Sequence, residues 1–330
     1  MTLLHLLHVL ILAVVQGLAE LLPISSSAHV IVAAKLLGLD PSKPEMTLLL
    51  VMLHTGTMFA VILYFWKAWK NSLFASRDVF IAQATRLVIA TLLTGVVGVP
   101  LIKGIEKVLE RSGYLTRDAS GHIPKAEIEM LFGNLPIMSC ALAAGGILIL
   151  VAGLQKPADH QPPEKRVAAA TNTLTVGDVL TMTVRRSERY KVRDGSIGVW
   201  EAAWMGAVQG LCLPFRGFSR SGATISTGML LGATRARVEE FSFALAVIIT
   251  PAAIGREVWR LIGAQGEASA PGVTWGDFAP SLLGMVFAML AGLLALKWLS
   301  RWLEAGRWYL FGIYCLLAAV GVFTLAVLRY

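Results

Sequence analysis

Val15-Gln16-Gly17-Leu18-Ala19-Glu20-Leu21-Leu22-Pro23-Ile24-Ser25-Ser26-Ser27-Ala28-His29 sets a carboxylate, a proline, three serines and a histidine inside an otherwise apolar stretch, 2–38. The second half of the chain repeats the pattern over 201–232. Val208-Gln209-Gly210-Leu211 leads to Pro214 and then to Arg216-Gly217-Phe218-Ser219-Arg220-Ser221-Gly222-Ala223-Thr224. Both stretches run on to Leu-Leu-Gly, at 36–38 and 230–232. Proline and glycine end helices, and serine satisfies the backbone groups that a break sets free. Each stretch is therefore expected to fold as two half-helices around a polar tip. Two breaks at corresponding positions of two halves point to a binding site between them.

The rest of the sequence says what solvent these tips sit in. The chain is 56% hydrophobic and 15% charged, with a mean hydropathy of +0.67. A soluble domain carries roughly 25% charged residues. Six further segments (46–66, 83–102, 134–153, 236–259, 280–300 and 308–328) are apolar over about the 20 residues that cross a bilayer as a helix. The expected fold is an all-α integral membrane protein, a polytopic helical bundle of two inverted repeats. Each repeat holds one re-entrant helix hairpin and three transmembrane helices. The chain then forms one membrane domain over 1–330, with repeat 1 at about 2–153, repeat 2 at about 201–330 and a polar insert, 154–200, between them. The run after Met1-Thr2 lacks the basic flank of a secretory signal, so it is expected to stay in the mature protein.

The formal charge of +8 is carried in the loops. Lys67, Lys70, Arg77 and Arg86 fall in one loop and Lys297, Arg301 and Arg307 in another. The insert holds Arg185, Arg186, Arg189, Lys191 and Arg193. The positive-inside rule makes these segments cytoplasmic and gives no reason to invoke nucleic acid. The first hairpin then enters and leaves from outside and the second from inside. Cys140, Cys212 and Cys315 lie in apolar runs without CxxC spacing and read as buried thiols. Trp66, Trp69, Trp302, Trp308 and Tyr309 read as an aromatic belt.

Glu20 follows Gln16 by one helical turn, so the two side chains share a face. An ionisable group within an apolar segment costs about 2.5–3.5 kcal/mol on insertion scales, which makes it a functional candidate. Ser25, Ser26 and Ser27 stand where a helix restarts. They can cap it, or with its free N–H groups they can hold a phosphate. His29 lies one turn further on. At the second tip the Arg220 guanidinium matches phosphate oxygens as a planar fork. Gly217 and Gly222 admit close backbone approach, Ser219, Ser221 and Thr224 add donors, and Arg216 is a second cation. Arg220 could equally pair with Glu20. His54 and Thr55, inside a span, are weaker candidates that could serve only backbone carbonyls.

With these residues in hand, the chain resembles the undecaprenyl pyrophosphate phosphatases of bacteria, also called bacitracin-resistance proteins. Gln16, Glu20, Pro23, Ser25, Ser26, Ser27 and His29 match that family's first motif. Gly217 through Gly222 match its Pro-Gly-x-Ser-Arg-Ser-Gly loop, except that Arg216 stands at the proline position and Pro214 lies two residues earlier. The resemblance covers most of the chain outside 154–200. It implies hydrolysis of a C55 polyprenyl diphosphate to the monophosphate carrier of peptidoglycan synthesis, and with it bacitracin resistance. It further implies a multi-pass protein of the cytoplasmic (inner) membrane whose site opens to the periplasmic side, with Mg or Ca as cofactor. A homo-oligomer stays open.

Under this expectation Arg220 holds the phosphates, and Ser26 is the nucleophile, with His29 or Glu20 taking its proton. The alternative is attack by water, with Glu20 and Gln16 holding a hard cation at oxygen. The residues leave both open. A secondary transporter or a polyprenyl-phosphate flippase would share the inverted-repeat fold. The type 2 phosphatidic acid phosphatases need a later histidine, and none follows His160.

Overall fold

The computed structural model describes residues 3–39, 44–112, 131, 134–155, 197–265 and 275–328, and these form ten helices without a strand among them. The helices are α1 (Leu3–Leu21), α2 (Ser26–Leu36), α3 (Pro44–Ser72), α4 (Arg77–Arg111), α5 (Leu135–Leu154), α6 (Val199–Cys212), α7 (Arg220–Leu230), α8 (Arg235–Gln265), α9 (Trp275–Glu304) and α10 (Tyr309–Val327). The expected insert, 154–200, lies outside the described residues over 156–196.

Both broken segments break where the sequence says. Pro23 offers no N–H, so α1 stops at Leu21 and the chain tightens through Ile24 N–H to Leu22 O at 2.8 Å. The pieces are unequal: α1 has 19 residues and α2 has 11. In the second segment α6 stops at Cys212, just ahead of the buried Pro214. The family's proline position is taken by Arg216, and Pro214 supplies the helix stop two residues earlier.

Five helices, α3, α4, α5, α9 and α10, carry segments long and apolar enough to cross a membrane. They contain five of the six expected spans, and the chain is a multi-pass membrane protein. The sixth expected span, 236–259, lies in the 31-residue α8, which is not one of the five and carries charges in its first turns. Part of those turns is packed against other helices: Val238 and Glu239 are buried, while Ala236 and Arg237 are exposed. Glu239 is buried and accepts a hydrogen bond from Ser300 Oγ of α9 at 2.5 Å, and Trp69 Nε1 of α3 donates to Glu240 O at 3.3 Å. A helix enclosed by helices can be polar wherever its neighbours supply partners. α4 runs well past its expected span of 83–102. Its 35 residues span about 52 Å, against about 30 Å of hydrocarbon.

α1 packs along α9, α6 along α4, α3 along α9 and α5 along α10. Glycine sets the first two distances. A Cβ on Gly17 would stand 2.6 Å from Ala288 O, 2.6 Å from Ala291 Cβ and 3.1 Å from Gly292 N of α9. A Cβ on Gly210 would stand 2.8 Å from Thr94 O, 2.9 Å from Val97 Cβ and 3.0 Å from Gly98 N of α4. The glycine of each Val-Gln-Gly-Leu therefore lies on the same three-atom step of a partner helix.

Two expectations about side chains change. Trp66 is exposed, as a belt residue should be, but Trp69 and Trp308 are buried. Their indole N–H groups find acceptors on other helices, Glu240 O and Ser226 Oγ, so both join the core. Cys212 and Cys315 are buried thiols, whereas Cys140 is exposed on α5.

The glycine contact predicts opposite signs for two alanine substitutions. Gly210→Ala forces Cβ into Thr94 O and should lower the thermal midpoint of the detergent-solubilised protein, with overpacking costing about 1–3 kcal/mol. Gly95→Ala meets nothing within 4 Å and should raise the midpoint slightly through helix propensity. Equal shifts would show that the α4–α6 contact does not depend on glycine.

Candidate functional site

Glu20, in the last turn of α1, gathers partners from three other elements. Gln16 Nε2 donates to its Oε2 at 3.2 Å, the spacing that i and i+4 on one helix face provide. Ser26 Oγ, at the start of α2, donates to the same Oε2. Arg220 Nη2, the first residue of α7, donates to Oε1 at 2.9 Å. His54 Nε2 of α3 lies 3.7 Å from Oε2. One carboxylate thus stands between a hydroxyl from the first tip and a guanidinium from the second.

The first tip is bent at Ser25, whose backbone sits at φ 67, ψ 91, the one non-glycine with positive φ among the described residues. Ser25 occupies the N-cap position of α2, but its side chain makes no cap bond to the N–H groups of the first turn. The leading N–H groups of α2 are therefore not capped by that serine, and they are the groups a helix N-terminus offers to anions. Ser25 Oγ lies 3.4 Å from Ser27 Oγ. His29 turns away from Glu20: Nδ1 is 2.8 Å from Ser25 O, and Nε2 is 2.7 Å from the Tyr314 hydroxyl of α10.

The second tip spends most of its polar atoms on its own fold. Ser219 Oγ caps α7 by accepting from Gly222 N at 3.2 Å. Thr224 is fully buried, donates to Arg220 O at 2.9 Å and lies 2.5 Å from Ser242 Oγ of α8. Ser221 Oγ donates to Leu22 O at 3.5 Å and joins the two tips through the backbone of the first, while Cys315 Sγ of α10 donates to Pro23 O at 3.4 Å. Gly217 has φ 109, and a Cβ there would stand 2.4 Å from Met138 O of α5. Only glycine takes this backbone and this approach together. Arg216 is partly buried beside it.

The structure thus brings Gln16, Glu20, Ser26 and Arg220 to one point. Ser25, Ser27 and His29 form the turn behind it. Ser219, Ser221, Gly222 and Thr224 form the frame that carries Arg220. Two partners are absent from the sequence reading. Tyr314 looks like any aromatic in a span. Thr250, 3.5 Å from Arg220 Nη1, looks like any threonine in a span; the one local feature beside it is Pro251 within α8. His54 does bond a backbone carbonyl, Leu50 O, through Nδ1 at 2.8 Å, and its other nitrogen faces Glu20. Thr55 serves only its helix among the bonds described, donating to Val51 O at 2.8 Å.

This donor set does not make a cation cage by itself. Among the described residues no three His, Cys, Asp or Glu side chains converge, and both Glu20 oxygens already accept hydrogen bonds. A Mg or Ca ion needs six or more oxygens, most of which would have to come from elsewhere.

A family model described as bacitracin resistance protein BacA matches residues 9–321. A protein of Acinetobacter baylyi named undecaprenyl-diphosphatase 2 is 51% identical over 323 residues, covering 97% of this chain and 98% of its own. The undecaprenyl-diphosphatase of Thermus thermophilus is 30% identical over 320 residues, 95% of each chain. An undecaprenyl-diphosphatase 2 of Burkholderia orbicola is 31% identical over 323 residues, 94% of this chain and 92% of its own. With its two motifs meeting at one carboxylate and a match that runs nearly end to end, the chain belongs to the BacA bacitracin-resistance family.

Proposed function

We propose that this protein hydrolyses undecaprenyl (C55) diphosphate to undecaprenyl phosphate and inorganic phosphate. It thereby recycles the lipid carrier of peptidoglycan synthesis and confers resistance to bacitracin. The observation that carries this reading is Glu20 held between the Ser26 hydroxyl and the Arg220 guanidinium, one from each tip. The names of the relatives supply the substrate. The relatives' names do not favour a flippase or transporter.

Chemically, the pair suits phosphoryl transfer. Ser26 Oγ attacks the terminal phosphorus as its proton passes to Glu20. The bond from that phosphorus to the bridging oxygen breaks, and undecaprenyl phosphate leaves with the electron pair. Glu20 gives that proton to the departing phosphate oxygen and is a carboxylate again; it then takes a proton from the water that attacks the phosphoserine and returns it to Ser26 Oγ as inorganic phosphate leaves. Arg220 has five N–H donors, and the described bonds to Glu20 and Thr250 use two. The others can hold phosphate oxygens and stabilise the charge that develops on them. The N-terminus of α2 adds donors from the first tip. Glu20 is preferred to His29 as base because the Ser26 hydroxyl already donates to it.

The two halves, α1–α5 and α6–α10, fit inverted repeats. Support comes from the matched glycine contacts, α1 on α9 and α6 on α4, and from the central pairing of α5 with α10. The basic residues expected in loops lie mostly in the helix ends, Lys67 and Lys70 in α3, Arg77 and Arg86 in α4, Lys297 and Arg301 in α9, and they support a cytoplasmic side there, which leaves the first hairpin entering from the periplasm of the inner membrane and the site opening there.

Purified protein in detergent should release phosphate from C55 diphosphate. Arg220→Ala should lower kcat/KM by about 100-fold or more, the scale for losing a transition-state donor. Normal hydrolysis by that variant would remove the second tip from the site. Terminally labelled substrate, quenched in acid, should leave label on the protein at Ser26 and none on Ser26→Ala. A Ser26→Ala enzyme with near-normal turnover would exclude the serine as nucleophile in favour of water.

A further inference from the structure

His29 has both ring nitrogens engaged, and the partners decide what the ring can do. Ser25 O can only accept, so the Nδ1 at 2.8 Å from it carries the proton. In the neutral ring Nε2 is then an acceptor, and the Tyr314 hydroxyl at 2.7 Å donates to it. The phenol also stacks on the imidazole, with centroids 5.7 Å apart and planes 15° apart. A general base must offer a lone pair to the hydroxyl it deprotonates. On this ring that lone pair faces Tyr314, while Ser26 donates to Glu20.

The other end of the same chain of bonds is the strained residue. Ser25 is held at φ 67 without glycine's freedom, a conformation that persists only where its surroundings over-determine it. Its carbonyl receives the His29 backbone N–H at 3.4 Å as well as Nδ1. Its own hydroxyl contributes no cap to α2. The next residue is Ser26. The direction of the Ser26 side chain therefore depends on a turn whose carbonyl is fixed by His29, and His29 is fixed by α10.

We infer that His29 and Tyr314 form a positioning tether that holds the Ser25 turn and so aims Ser26 Oγ at Glu20, with no proton passing through the imidazole. The inference rests on reading Glu20 and Ser26 as the reaction centre. Tyr314 then belongs to the machinery although it lies far from both motifs in sequence, and it ties the first hairpin to the last helix.

The test separates a ring that reacts from a ring that holds. An asparagine amide can place an N–H where Nδ1–H stands, and it cannot act as a base. His29→Asn should keep kcat for phosphate release within about tenfold of wild type, whereas His29→Ala should lose about 100-fold, with KM little changed in both. Tyr314→Phe keeps the stack and loses one hydrogen bond, so kcat should fall about two- to tenfold. In the His29→Asn background, which lacks Nε2, Tyr314→Phe should add no further loss. His29→Asn as inactive as His29→Ala, or Tyr314→Phe at full activity, would overturn the tether. If wild type itself released no phosphate, the phosphatase reading would fail separately. The nitrogen-15 spectrum of His29 in micelles would still read the tether. The Nδ1–H form, with an Nε2 resonance that moves in Tyr314→Phe, supports it. The Nε2–H form, or indifference to Tyr314→Phe, overturns it.

Discussion

A carboxylate and a guanidinium meet 2.9 Å apart between helices that are otherwise built for an apolar medium, and most of the architecture follows from that contact. Either charge alone inside a membrane segment costs about 2.5–3.5 kcal/mol. Pairing offsets part of this, although removal from water can cancel much of the attraction between buried ions. What the pair fixes is geometry. Glu20 ends α1 and Arg220 begins α7, so each helix must stop with its charge at the meeting point. Pro23 ends α1 behind Glu20, and the Ser219 cap begins α7 at Arg220. Gly17 and Gly210 let α1 and α6 press against α9 and α4, which sets how far each tip reaches. Ser221 and Cys315 then clasp the backbone carbonyls of Leu22 and Pro23, groups that the break left without helical partners.

The parts of this that were legible in the sequence are the parts that violate an apolar background. A proline, a serine run and a lone glutamate inside an apolar stretch announce a broken helix and a polar site. The Gln16–Glu20 spacing announces a shared face. Residues of the span type carry no such contrast. Tyr314 and Thr250 become partners of His29 and Arg220 only because packing brings α10 and α8 to the tips. Trp69 and Trp308 show the same limit. An aromatic near a span end has the same local sequence in a lipid belt and in a core. What separates the two is an acceptor on another helix, here Glu240 O and Ser226 Oγ. The start of the expected span 236–259 holds Arg237, Glu239 and Glu240, and Ser300 and Trp69 meet Glu239 and Glu240 there.

The same reasoning divides the polar residues of the two motifs by what they touch. Motif membership alone does not separate Thr224, buried and bonded to its own helix, from Ser26, whose hydroxyl faces the carboxylate. Nor does it separate the two histidines. His29 looks outward to α10, while His54, which lies outside both motifs, turns Nε2 toward Glu20. Chemistry at this site belongs to the few groups whose polar atoms are not consumed by the tips' own folding.

The central claim is that two tips, far apart in sequence, make one catalytic unit through Glu20 and Arg220. A double-mutant cycle on phosphate release, with Glu20→Gln, Arg220→Gln and the double variant, tests it most directly. Residues acting as one unit lose together, so the double variant should be about as slow as the slower single variant. Losses that multiply across the two substitutions would mean that the residues act independently, and would contradict the account.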